Sequence, residues 1–97
     1  MHEYLKDHIK EEIDGAIGYL TKAIELKKSS LEMAAKFYKM SEMEIEHANC
    51  MTRMFNSLDK PDDVTSEAYS TMQKEVIDVY TTHMNKIEGM KRMYWNN

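Results

Sequence analysis

The chain has 97 residues, the length of one domain. Thirteen Lys and Arg against 17 Asp and Glu give a net charge of −4, which argues against the basic face that nucleic-acid binding needs. Apolar residues make up 42% and charged residues 31%, a globular or bundle composition rather than a disordered one, and no apolar run approaches the ~18 residues of a membrane span.

The opening run Met1 to His8 carries no signal-peptide apolar block, so a cytoplasmic location is expected, free or within a protein compartment. The single Cys50 leaves no internal disulfide. Gly15, Gly18, Gly89 and Pro61 are the only glycines and proline, and helical periodicity runs almost end to end. The expectation is therefore an all-α fold, one domain over 1–97, made of three helices. Helix 1 is placed at about 3–27. Ser29 then opens helix 2, with Glu32 three residues later as a capping box, and the helix continues over about 30–58. Asp59-Lys60-Pro61-Asp62-Asp63 is the clear break. Helix 3 is placed at about 64–94.

Helix 1 carries the stripe Leu5, Ile9, Glu12, Ala16, Tyr19, Ala23 and Leu26, at alternating steps of four and three. Helix 2 carries Met33, Phe37, Met40, Glu44, His47, Met51, Met54 and Leu58 at the same steps. These are the seams of an antiparallel helical hairpin. Second stripes lie alongside: Ile13, Ile17, Leu20 and Ile24 on helix 1; Ala34, Tyr38, Ile45, Ala48 and Phe55 on helix 2. A helix with two apolar stripes is covered on two sides. A chain this short also buries only about 60–65% of its unfolded surface. Both points predict a second subunit completing a four-helix bundle.

Three ionisable residues, Glu12, Glu44 and His47, interrupt the main seams. A carboxylate in an apolar seam costs several kcal/mol unless something compensates it. Glu12 lies 17 residues before Ser29, while Glu44 and His47 lie 15 and 18 after it. Antiparallel helices with equal rise per residue bring these three to one level, and Glu44 and His47, three apart, share a face. Two carboxylates and an imidazole form half of a metal site suited to iron, manganese or zinc. A two-fold axis through that level doubles the set to four Glu and two His. That is the carboxylate-bridged di-iron inventory of a lone Glu from each of two helices and Glu-x-x-His from each of the others.

The motif Glu44-Ile45-Glu46-His47-Ala48 resembles the E-x-E-H-A of ferritin helix two, and Glu12 followed by Tyr19 resembles the helix-one Glu and its nearby Tyr. Within the ferritin-like superfamily the chain is most similar to the short encapsulated ferritins, whose ferroxidase site forms where two subunits meet. Their helix one carries E-E-x-E ahead of a Tyr; here it reads Glu11-Glu12-Ile13-Asp14, then Tyr19. The likeness covers roughly residues 3–58. It implies Glu12, Glu44 and His47 as iron ligands, Glu11 and Asp14 near an outer metal-attracting site, and Tyr19 beside the di-iron centre. There Tyr19 either hydrogen-bonds a ligand carboxylate or supplies an electron. Gly18 stands where a bulky aromatic precedes the Tyr. The run Met90 to Asn97 shows no targeting tail, so residence in a host compartment has no support in the sequence.

Among the other polar residues, His8 is the rival ligand, four residues before Glu12, but it lies off the main stripe and reads as solvated. His83 falls in the helix 3 stripe and reads as a hydrogen-bonded, half-buried histidine, with a second metal contact as the alternative. His2 reads as frayed terminus. The ten methionines read as packing, and Cys50 as a structural thiol. Gly15 and Gly18 each cost a helix ~1 kcal/mol relative to alanine; on one face, they would admit a close helix approach.

The function predicted is a ferroxidase that oxidises Fe²⁺ to Fe³⁺ at a di-iron site between two subunits, for iron storage or detoxification. Manganese, zinc or calcium are alternative occupants of the same or an outer site. A larger ring around the two-fold pair is compatible with the sequence. The competing readings are a non-catalytic zinc or manganese clamp that fastens a dimer, and a metal-free helical interaction protein.

Overall fold

The computed structural model describes residues 1–96; Asn97, the last residue of the C-terminal run, lies outside the described residues. Three helices make up the fold: α1 (His2–Leu26), α2 (Leu31–Ser57) and α3 (Ser66–Asn96). They form a rod of about 54 × 18 × 15 Å. Among the described residues no helix is long and apolar enough to cross a membrane.

Local chemistry sets the breaks. The α1–α2 turn closes on Ser30, whose hydroxyl accepts the backbone N–H of Met33 at 3.2 Å. Ser29 instead bonds back to the Leu26 carbonyl at the end of α1. The cap therefore sits one residue later than the Ser29–Glu32 capping box predicts, because adjacent serines compete and the second has the extended backbone a cap requires. At the far end of α2, Leu58 turns extended ahead of Asp59, Lys60 and Pro61. The Thr65 hydroxyl then accepts the Ala68 N–H and opens the first turn of α3.

The core joins Leu5, Ile9, Ile13, Ala16 and Leu20 of α1 to Ile45, Ala48 and Phe55 of α2 and Val76 and Ile87 of α3. On α2 these are second-stripe residues, whereas α1 buries parts of both stripes: Leu5, Ile9 and Ala16 belong to the first, Ile13 and Leu20 to the second. On α2 the first stripe lies toward the edge: Met33, Met40 and Met54 are exposed at 45%, 38% and 47%. The third helix, α3, packs chiefly on α1 and adds Val76 and Ile87 to this core. That helix runs parallel to α1 along the hairpin and supplies, from the same chain, part of the cover that two stripes require. Its contacts run the length of the rod. His2 Nε2 lies 3.2 Å from the Tyr69 hydroxyl, which donates to the Leu58 carbonyl. Lys6 pairs with Glu75 at 3.0 Å, the Tyr80 hydroxyl bonds the Asn49 side chain, and Lys27 bonds the Tyr94 carbonyl. Tyr94 stacks on Tyr38 with ring centroids 4.5 Å apart.

His2 is thus not a frayed terminus. It is buried at 7% exposure with its ring edge-on to Phe55 and Tyr69. Local sequence gives no sign of this, since its partner lies 67 residues away.

Candidate metal centre

Glu12 projects from the flank of α1 one residue before the fully buried Ile13. Glu44 and His47 project from α2 on either side of Ile45, which is buried at 8% exposure. Core positions therefore fix the rotation of both helices and hold the three polar side chains at the lip of the α1–α2 groove. One ligand atom from each of Glu12, Glu44 and His47 lies within 4.8 Å of the other two. His47 Nδ1 is 3.4 Å from Glu12 Oε2 and 4.0 Å from Glu44 Oε1. The site is graded: Glu12 is 19% exposed, Glu44 25% and His47 55%.

Glu12 Oε2 is the telling atom. It is shut off from water and accepts no hydrogen bond among the described residues. His47 approaches it without the alignment of a hydrogen bond. A buried carboxylate oxygen without a donor carries a desolvation penalty that a cation would offset. Glu44 feels the same crowding. Hydrogen bonding to Glu12, then burial, then repulsion from Glu12 push its carboxyl up from 4.5 to about 7, while His47 acts in the opposite direction. Below about pH 7 a proton therefore neutralises the pair where a metal would otherwise do so. Two oxygen donors and one imidazole fit a hard or borderline divalent ion such as iron, manganese or zinc. The buried Glu12 oxygen thus has the His47 contact at 3.4 Å but no hydrogen bond to offset its desolvation.

The remaining predicted site residues stand apart from this cluster. Tyr19 is half-buried, its ring centroid 6.2 Å from that of Phe37, and its hydroxyl bonds none of the three side chains. Glu11 and Asp14 are exposed; Glu11 lies 3.5 Å from His8 Nδ1. His8 packs on Tyr4 at 4.2 Å between ring centroids and is not in the cluster. His83 is half-buried, its Nδ1 2.7 Å from the Val79 carbonyl. Cys50 is an exposed free thiol.

The close approach expected at both Gly15 and Gly18 is found only at Gly15, and there it bears on Glu44, which sequence reasoning did not connect with it. A Cβ placed on Gly15 would come within 2.9 Å of Glu44 Oε2. The spacing offered a signal: Gly15 is three residues after Glu12 and so shares its face.

Compared with known proteins, residues 3–97 match a family model described as Rubrerythrin. No curated protein matches the chain, and neither does any solved structure.

Proposed function

The chain belongs to the rubrerythrin family, a ferritin-like family associated with di-iron binding, and from that premise we propose that it is a ferroxidase whose two-iron site is completed by a second copy of the chain. The observation that carries this reading is the buried Glu12 oxygen, which accepts no hydrogen bond among the described residues, clustered with Glu44 and His47.

One copy offers three ligands, too few for two ions. A second copy related by a two-fold axis would supply the other three. The surface around the site supports that pairing. Met33, Met40, His47 and Met54 recur every seven residues along α2 and share one exposed line. Tyr38 and Asn49, which meet α3, lie roughly half a turn round the helix from it. The exposed methionine line is therefore left to a partner, and methionine adapts well to such a contact. Assembly of this two-fold pair into a larger ring is the wider form of the proposal.

Iron is the substrate. Exposed Glu11 and Asp14 draw Fe²⁺ toward the groove by their charge. Glu44 gives up its proton as the cation arrives, and Glu12 places its buried oxygen against the ion. His47, at the water-facing rim, completes the donor set of its own copy. Two Fe²⁺ would each give up one electron, the pair together reducing one dioxygen to hydrogen peroxide, or one hydrogen peroxide to two waters, with two protons taken from solvent. The carboxylates favour the Fe³⁺ product because hard anions stabilise the higher charge. Tyr19, packed on Phe37, stands in reserve as an electron donor.

The test is anaerobic loading with Fe²⁺ followed by admission of air, for the wild type and Glu12→Ala. The wild type is expected to develop ferric absorbance that depends on oxygen, and the variant to lose both the bound metal and the signal. Metal retention by Glu12→Ala would overturn the site. Firm binding of Zn²⁺ or Mn²⁺ with no oxygen-dependent iron signal would leave the clamp and remove the enzyme.

A further inference from the structure

We propose that Gly15 is a positioning residue for the metal centre: its missing side chain leaves the recess in which the Glu44 carboxylate seats. This rests on the reading of Glu44 as a ligand. A Cβ at position 15 would lie 2.9 Å from Glu44 Oε2, but 3.6 Å from Cδ and 3.8 Å from Cγ. Only the head of the side chain meets it too closely. Non-bonded carbon and oxygen atoms settle nearer 3.4–4 Å, so the head must move by roughly half an ångström. The two carboxylate oxygens move as one planar group. Oε2 faces Gly15 while Oε1 faces His47 at 4.0 Å, so displacing the first re-aims the second. A shift of about half an ångström is large where metal–ligand distances hold to within about 0.2 Å.

The fold would absorb the same substitution easily, because the atom that yields is the free end of a flexible chain. Alanine is also the better helix former. Gly15→Ala is therefore expected to move two properties in opposite directions: the metal-free protein gains stability while the site loses affinity. Gly18 supplies the control. It lies on the same helix, three residues on, and a Cβ there meets no heavy atom within 4 Å. Gly18→Ala carries the helix benefit without the contact.

The experiment is anaerobic titration calorimetry with Fe²⁺ on the wild type, Gly15→Ala and Gly18→Ala, together with thermal melts of each in chelator. Both variants are expected to melt at or above the wild type. Gly15→Ala is expected to bind Fe²⁺ at least tenfold more weakly, and Gly18→Ala like the wild type. Wild-type affinity in Gly15→Ala would overturn the positioning role and leave the ligand assignment intact. Equal weakening in both variants would assign the effect to the helix and overturn the role as well. So would a Gly15→Ala melt below the wild type, because the cost would then fall on the fold and not on the carboxylate. A wild type that binds no Fe²⁺ would overturn the ligand assignment and this inference with it.

Discussion

Replacing Glu44 with Gln tests the electrostatics of the site directly. The Glu44 carboxyl titrates near 7 in the folded chain against 4.5 ordinarily. Between those values the folded protein holds a proton that the unfolded chain has released. Stability therefore falls as pH rises through this window, is unaffected below it, and has lost the full increment above it. A difference of roughly 2.5 units at ~1.4 kcal/mol each sets an upper limit of about 3.5 kcal/mol. Water reaches a quarter of the Glu44 side chain and screens part of the repulsion, so about 1–2 kcal/mol is expected. Glutamine keeps the shape and can still donate to Glu12 but carries no charge at any pH. In chelator and at fixed protein concentration, Glu44→Gln should melt close to the wild type at pH 5. At pH 8.5 it should melt about 5–10 °C above it. A gap that does not change between the two pH values would refute the reasoning, as would a variant that melts below the wild type at pH 8.5. Either result would mean that Glu12 does not raise the Glu44 carboxyl.

On the proposed function, in which an arriving cation takes the place of the Glu44 proton, Fe²⁺ or Zn²⁺ binding at pH 6 should release about one proton per site, and fewer above pH 8. Calorimetry in buffers of different ionisation enthalpy reads this number, and a pH-independent value would contradict it. Met40→Glu, on the exposed line of α2, should shift the protein toward monomer in light scattering without loss of helical circular dichroism; an unchanged mass would remove that face from the interface. Phe55 is fully buried and packs on His2. Phe55→Ala should cost about 3–5 kcal/mol in denaturant unfolding, and a loss under 1 kcal/mol would mean that the α1–α2–α3 contact is loose.

The rest of the site was legible to different degrees, and the reasons are physical. The meeting of Glu12 with Glu44 and His47 follows from counting outward from a turn, since two helices with equal rise keep level. The choice of core stripe does not follow from counting. Glu12 and Ile13, like Glu44 and Ile45, are neighbours, and each stripe alone satisfies helical spacing. Rotating either helix by one residue exchanges the two, and local energetics barely separates the choices. Met33, Met40 and Met54 face outward in the three-helix arrangement, and pairwise reading of two helices cannot see where the third packs.

Sequence alone determined the three helices, their interruption near Ser29 and Pro61, and the chemistry of the donor set. These rest on short-range matters: periodicity, capping and proline, each settled within a few residues. Tertiary structure decided which face became the core, that His2 is buried against Tyr69, and that Gly15 opens a recess for Glu44. Those outcomes depend on atoms 29 to 67 residues apart along the chain. Contacts of that range form only once the helices have docked, when a change of one residue in register alters every partner.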